Sequence, residues 1–350
     1  MRVLVTGHKG YIGTVMVPML LAEGYDIVGL DSDLYRECTF GDDRIVDVPE
    51  LIMDIRDVQR ADLFGFDAII HLAALSNDPL GDLNPQLTYE INYRATVRLA
   101  RLARAAGVRR FLFSSSCSTY GAAGNDMLTE DAAYNPVTPY GRSKVLAEQA
   151  LTKLANANFS PTFLRNATAY GFSPRLRFDL VLNNLVSWSY TTGYVHLKSD
   201  GSPWRPIVHI EDISRAFIAV LRAPLELVYN QAFNVGINSE NYQIRDLARI
   251  VKETVPDCAI EFAADACPDK RNYRVDCSKL KKTLAEFRPQ WNATKGARQV
   301  YQAINQNGLR LEEFEGAKYK RVDHIKYLLK SGRLDKKLRW KSSVSHALVP

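Results

Sequence analysis

The stretch Arg2-Val3-Leu4-Val5-Thr6-Gly7-His8-Lys9-Gly10-Tyr11-Ile12-Gly13 decides how the chain is read. A short apolar run enters a glycine-rich turn, and a helical pattern follows to about Ala22. Strand, glycine turn and helix in this order make a phosphate site. Glycines allow a tight turn and let backbone N–H groups approach a pyrophosphate at the helix N-terminus, where the dipole favours an anion. The spacing is Gly-x-x-Gly-x-x-Gly rather than Gly-x-Gly-x-x-Gly, so the context of a dinucleotide fingerprint is met while its letters are not. Gly7, Gly10, Tyr11, Ile12 and Gly13 form the expected pyrophosphate loop. A second strand, Asp26 to Leu30, ends in Asp31, eighteen residues past Gly13. An acidic side chain there hydrogen-bonds an adenosine ribose and disfavours a 2′-phosphate, which favours NAD over NADP. The other reading of Asp31 is a loop carboxylate after a strand.

The alternation continues outward. Asp54-Ile55-Arg56-Asp57 closes another short strand, and Phe66 to Ile70 leads into His71-Leu72-Ala73-Ala74, whose small residues would let a cofactor lie against the backbone. His71 itself reads as a packing residue. A helix is expected from about Leu87 to Ala106, with Asn92 inside it and Gly107 as its stop. Arg110-Phe111-Leu112-Phe113 then runs into Ser114-Ser115-Ser116. Strands alternating with helices at this spacing predict an α/β fold with a doubly wound parallel sheet, whose ligands sit at the carboxyl ends of the strands.

Tyr140-Gly141-Arg142-Ser143-Lys144 adds chemistry to that edge. Residues at i and i+4 share a helix face. A free tyrosine titrates near pH ~10, and an ammonium held close favours the phenolate, so the pair can serve as a base nearer neutrality. The same motif also fits an exposed helix start after Pro139.

The 350 residues, 46% hydrophobic, can bury a large core in one large or two intimately joined domains. No apolar run reaches the ~20 residues needed to span a bilayer, and the chain enters a strand with no signal-peptide anatomy, so no membrane association and a cytoplasmic location are expected. Cys38, Cys117, Cys258, Cys267 and Cys277 form no Cys-x-x-Cys pair, which argues against a disulfide framework and a zinc site; no metal is expected. Residues 301–350 hold eleven Lys/Arg against five Asp/Glu, a surplus equal to the net charge of +6. Ile325, Leu328, Leu329, Leu334, Leu338 and Trp340 recur there at roughly helical spacing, so packed amphipathic helices are expected rather than a nucleic-acid arm.

Taken together, these motifs resemble the extended short-chain dehydrogenase/reductase family, in its branch of NAD-dependent nucleotide-sugar epimerases and dehydratases. The resemblance rests on the glycine loop, Asp31, Asp54 to Asp57, His71 to Ala74, Asn92, Ser114 to Ser116 with Tyr120-Gly121, Tyr140 to Lys144, and Arg205 to Asp212, over residues 1 to roughly 290. It implies that Gly7, Gly10 and Gly13 receive the pyrophosphate of NAD, Asp31 its adenine ribose, and Asp54 and Ile55 its adenine, with Leu72, Ala73, Ala74 and Asn92 also at the cofactor. Tyr140 would be the base, Lys144 its partner and ligand of the nicotinamide ribose, and Ser116 a donor to the reacting oxygen. Asn183 and Arg205, with Arg271 or Arg274, fall where the family holds the diphosphate of a nucleoside-diphosphate sugar; Cys117, Ser118 and Thr168 also fall at the substrate, where the Cys117 thiol reads either as an acid or base or as a small buried cysteine. The family commonly forms homodimers through the helices near 87–106 and 141–157, and Val145, Leu146, Ala150 and Leu154 are compatible either with that contact or with burial against the sheet.

Departures from the family pattern narrow the reaction. Dehydratases typically carry Asp-Glu immediately after the serine or threonine; here Cys117 and Ser118 stand there. Epimerases acting beside a keto group often have a cysteine at the second of these positions, here Ser118. Thr168 replaces a usual asparagine. The reading that remains is an NAD-dependent nucleotide-sugar epimerase acting at carbon 4 through a keto intermediate. An NAD-linked reductase, dehydrogenase or dehydratase, and a non-catalytic NAD-binding scaffold, stay open as alternatives. The expected organisation is a Rossmann domain over 1–165 with 206–235 returning to it, a smaller substrate lobe from 166–205 and 236–300, and a basic extension over 301–350. Arg175 and Arg177 either meet a diphosphate or pair with Asp179.

Overall fold

Alternation along the first strand sets the layers. In the computed structural model, which describes residues 1–42, 44–197, 199–262 and 272–341, β1 (Arg2–Thr6) turns Val3 and Val5 to one face and Leu4 to the other. The same split recurs in β4 (Ala68–His71), with Ile70 opposite Ile69, and in β5 (Arg110–Ser116), with Leu112 opposite Phe111 and Phe113. Successive strand side chains point to opposite faces, so strands buried on both faces need apolar residues throughout. Helices cover both sides. Gly13–Ala22 and Ile210–Arg222 pack Met16, Leu20, Phe217 and Val220 on the Val3 face, while Thr96–Ala105 and Pro139–Thr152 bring Leu99, Ala103, Ala147 and Leu151 to the other.

The sheet has seven parallel strands in the order Glu50–Ile52, Asp26–Asp31, Arg2–Thr6, Ala68–His71, Arg110–Ser116, Ser160–Asn166, Ala232–Val235. This is the doubly wound arrangement the sequence predicts. Strand order reverses between β1 and β4, where Thr6 is in register with His71, and ligands of such sheets bind in the crevice at that reversal. His71 holds the switch point together as a packing residue, bonding Thr6 Oγ1 at 2.7 Å and Thr96 Oγ1 at 2.8 Å.

The helix expected over 87–106 is a segmented run: Pro85–Tyr89, a π-helical stretch Glu90–Ala95, and Thr96–Ala105. The π stretch places Asn92, and such bulges often mark functional positions. A separate core holds Phe178, Leu182, Leu247, Val251, Val300, Ile304 and Phe314. Helix Ala293–Asn307 runs through position 300 within that core. The chain then returns: Ile325 and Leu328 of helix Arg321–Lys330, followed by Leu334 and Leu338, enter the core under the sheet. Among the described residues no helix is long and apolar enough to cross a membrane.

Candidate active site

A cleft of about 810 Å³ opens along the carboxyl ends of the strands, with Asn184, Trp188 and Tyr273 also lining it. The glycine turn forms one wall. Gly7 has φ +78°, and a Cβ there would lie 2.8 Å from the Ala73 backbone nitrogen, so the turn can pack against the segment after β4 only as glycine. A Cβ on Gly13 would meet Gly7 O at 2.4 Å. A Cβ on Gly10 would be less crowded, meeting Gly7 O at 3.1 Å and nothing else within 4 Å beyond its neighbours among the described residues. Tyr11 is fixed by a segment far along the chain: its hydroxyl donates to Gly171 O at 2.6 Å, and its carbonyl accepts from Ser173 Oγ at 2.8 Å.

Asp31 ends the second strand at the rim. Its two carboxylate oxygens accept from the backbone N–H groups of Lys9, 3.0 Å, and Asp33, 2.8 Å, and burial pushes its pKa up. Each oxygen keeps a lone pair for a diol. Asp54 and Ile55 line the same end of the cleft, with Leu72, Ala73 and Ala74 along its floor. A loop with an open glycine at a helix N-terminus, a fixed carboxylate beyond it and small residues between them fit a dinucleotide such as NAD.

Toward the middle of the cleft stand Ser116, Tyr140 and Lys144. Thr138 caps the Tyr140 helix by accepting from Gly141 N at 3.1 Å, with Pro139 in the first turn. Tyr140 and Ser116 are hydrogen-bonded through their side chains, and Ser116 Oγ accepts from Ser118 N at 3.1 Å. Lys144 Nζ donates to Ser114 O at 2.7 Å and lies 5.7 Å from the Tyr140 ring centroid. The electrostatics differ from the simple expectation of an ammonium lowering a phenol. Burial pushes the Tyr140 phenol up to about 12, opposed by the Ser116 bond. Burial also pushes Lys144 down to about 7, and Glu148 one turn on pulls it back up. Both groups rest close to neutral because neither charged form is solvated there.

Other sequence-derived positions divide clearly. Ser118, Thr168 and Arg205 line the cleft. Cys117 does not: it is fully buried, its thiol donates to Arg165 O at 3.2 Å, and burial raises its pKa well above the ordinary thiol value. Asn183 also leaves the cleft, since its amide accepts from Gly171 N at 3.1 Å and donates to Tyr11 Oη and Arg177 O, each at 3.0 Å; its neighbour Asn184 is the lining residue. Asn92 acts one step back. It clamps Leu75 through N–H and C=O at 2.8 and 3.0 Å and reaches Ser143 at 3.3 Å. Arg274 stacks over Trp204 at 4.9 Å, outside the cleft lining. Arg271 lies outside the described residues. Arg177 pairs with Asp179 at 2.8 Å, and Arg175 donates to the carbonyls of Tyr35 and Arg36.

Several lining residues carried no motif in the sequence: Asp78, whose charge raises the Tyr140 phenol, and Asn77, Tyr273 and Arg321. Asn77 and Pro79 could have been read as a helix start, because Asn77 accepts from Leu80 N at 2.9 Å. The others come from segments distant in sequence.

Comparison with known proteins identifies the family. A profile of the NAD dependent epimerase/dehydratase family matches residues 3–236. A UDP-glucose 4-epimerase of Mycolicibacterium smegmatis is 32% identical over 302 residues, covering 83% of this chain and 94% of that protein. A UDP-glucose 4-epimerase of Bacillus subtilis is 26% identical over 346 residues, covering 89% and 100%. Among solved structures, a dTDP-glucose 4,6-dehydratase of Streptomyces venezuelae with NAD bound is 25% identical with a TM-score of 0.75, covering 88% of this chain and 98% of that one.

Proposed function

This chain belongs to the NAD-dependent epimerase/dehydratase family and is an NAD-dependent enzyme; we propose that it is an epimerase of a nucleoside-diphosphate sugar, acting at carbon 4 with Tyr140 as the base. The observation that carries this reading is the meeting of Ser116, Tyr140 and Lys144 in the same cleft as the glycine loop. Bound NAD supplies the hydride acceptor and, in the return direction, the donor. The residues of the chain manage the proton. For this Tyr140 must first lose its own proton; as the phenolate, its Oη would take the proton from the sugar hydroxyl as that carbon becomes a ketone and give it back when the hydroxyl is remade. The Ser116 hydroxyl, its oxygen held by Ser118 N, would donate to the reacting oxygen, and Lys144 in its ammonium form would oppose the negative charge on it. Gly7, Gly10, Tyr11, Ile12 and Gly13 would hold the pyrophosphate, Asp31 the adenine ribose, Asp54 and Ile55 the adenine, and Leu72, Ala73 and Ala74 the floor beneath. Ser118, Thr168 and Arg205 are offered for the sugar nucleotide. The relatives named as 4-epimerases support the choice of carbon. Against dehydration stands the replacement of an acid and base pair by Cys117, which faces away from the cleft, and Ser118.

The division into a Rossmann domain over 1–165 and 206–235 and a substrate lobe is part of this proposal, as are a cytoplasmic location and a place in carbohydrate biosynthesis. A homodimer through the two long helices completes it. Its surface would centre on Leu146, which is 38% exposed, since Val145 and Leu154 are buried within the chain.

The test is to denature the purified protein, identify the nucleotide released, and incubate the native protein with UDP-glucose and UDP-galactose. Retained NAD and interconversion of the two sugars are the expected results, with light scattering reporting the dimer. Tyr140→Phe should lower turnover by about 10²–10⁴-fold while NAD stays bound. Product lighter by one water, stoichiometric consumption of NADH, or a fully active Tyr140→Phe protein would each sink the proposal.

A further inference from the structure

The basic C-terminal segment returns to the cofactor end of the cleft. Trp340 Nε1 donates to Ser32 O at 2.7 Å, and the Trp340 ring lies under the Arg36 guanidinium at 4.1 Å. His324 Nε2 bonds Leu34 O at 3.1 Å, Arg56 donates to Lys337 O at 2.9 Å, and Arg339 pairs with Asp57 at 3.0 Å. These contacts fall on the loops after Asp31 and around Asp54, which are the two loops offered for adenosine. Leu338 is held at φ +57°, a left-handed backbone that leucine rarely adopts, and lines the cleft with Asp31 and Ile55 while 5% exposed.

The same segment delivers a cation. Arg321 opens helix Arg321–Lys330, is 2% exposed, and lines the cleft. Its Nη2 donates to Arg175 O at 2.9 Å, its guanidinium lies 4.1 Å over the Tyr35 ring, and its Nη1 has no hydrogen-bond partner among the described residues. Arg175 reaches Asp33 at 3.4 Å and Arg177 reaches Asp179 at 2.8 Å, whereas Arg321 has no ion pair among the described residues. It stands close enough to Tyr11 of the glycine loop and to Tyr35 of the adenosine loop to act on both phenols. A buried guanidinium with an idle donor, between a phosphate loop and an adenosine loop, is built for an anion that arrives with the ligand.

Building on the NAD reading, we infer that residues 320–340 are a strap belonging to the cofactor site: Arg321 engages the diphosphate of the dinucleotide through Nη1, and the Leu338–Trp340 turn closes the adenosine end. Cofactor release then requires the strap to lift. Retention of NAD through many turnovers, which an epimerase needs, would be set partly by this segment.

The experiment follows release of NAD from the holoenzyme after rapid desalting, and displacement of bound NAD by ADP and by adenosine. In Arg321→Met, release should be roughly tenfold to a hundredfold faster, and the advantage of ADP over adenosine as displacer should shrink by the same factor, because a charge-assisted hydrogen bond to the diphosphate is lost. Trp340→Phe should speed release while keeping the ADP-to-adenosine ratio. Using that ratio within one protein removes any general loosening of the fold, and Arg321→Lys serves if the methionine variant does not fold. Unchanged release in both variants, or equal weakening of ADP and adenosine in the Arg321 variant, would overturn the strap and leave the NAD reading standing. A wild-type protein that neither retains NAD nor responds to ADP would bring down the cofactor reading itself.

Discussion

Glu148→Gln is the sharpest test of how the site is supported. Glu148 is 2% exposed and receives donors from three directions: the Ser115 hydroxyl, the Tyr134 hydroxyl at 2.8 Å, and Arg165, whose Nη2 lies at 2.7 Å and Nε at 3.1 Å. Arg165 is itself 4% exposed. Glutamine keeps the shape but turns one acceptor oxygen into an NH₂ facing donors, and it leaves the guanidinium buried without its counter-charge. Breaking such a pair costs about 3–5 kcal/mol, out of a total stability of roughly 5–15 kcal/mol. Urea unfolding should show a lower midpoint with an unchanged slope. Replacing both partners, Glu148→Leu with Arg165→Met, should recover much of the loss, because no uncompensated charge remains. The site reports on the same change. Glu148 holds the Lys144 ammonium up against burial, so in Glu148→Gln the limb of the pH–rate profile set by Lys144, near pH 7 in the parent, should move to lower pH. A loss below about 1 kcal/mol with the slope unchanged would refute the claim that this pair is desolvated and load-carrying.

Three further outcomes are expected. Gly13→Ala places a Cβ 2.4 Å from Gly7 O and 2.5 Å from His8 O, both backbone, so the loop must open and NAD affinity should fall by about tenfold or more; wild-type affinity in a titration would count against the loop. His71 and His209 are held uncharged by burial, with pKa values pushed down to about 3 and about 4. Below the unfolded value near ~6.5 the unfolded chain binds protons that the folded chain refuses, so stability should decline as pH falls from there toward about 3, by up to ~1.4 kcal/mol per pH unit for each histidine. His71→Asn should flatten that slope by one proton, and an unaltered slope would mean His71 protonates in the folded state. Cys117→Ala should leave turnover within roughly twofold, since a buried cysteine behaves as a small apolar side chain; a large loss in a folded protein would return the thiol to the chemistry.

What the sequence made legible was local. The glycine turn, Asp31 and the Tyr140–Lys144 spacing each lie within one strand-to-helix unit, and alternation of apolar runs with helical patterns was enough to fix a parallel sheet. Asn183 falls outside the cleft lining, and Cys117 takes the buried one of its two readings, for one reason: spacing locates a residue along the chain, but only packing decides which way it points. Asn183 precedes the true lining residue by a single position, and on a helix that is a rotation of about 100°. The direction of the Tyr140 and Lys144 shifts was hidden too, because proximity argues for a charged pair while burial argues for a neutral one, and burial depends on how distant segments such as the strand carrying Phe113 pack against the helix.

The tail shows where motif reading stops. Its net charge advertises a surface for polyanions, yet part of that charge is spent within the protein: Arg333 on Glu37 and on the Trp340 ring, and Arg339 on Asp57. A count of charges cannot separate a basic arm from a basic strap, because the acidic partners lie almost 300 residues earlier. The apolar positions could: Leu328, Leu334 and Leu338 end in the same core as Leu4 and Leu30. A segment that brings leucines to the core under the strands Arg2–Thr6 and Asp26–Asp31 must cross the loops that follow those strands, and those loops hold the candidate cofactor residues. The strap is therefore a consequence of where its hydrophobic residues are buried, and the Arg321 Nη1, without a hydrogen-bond partner among the described residues, is the feature that packing alone does not account for.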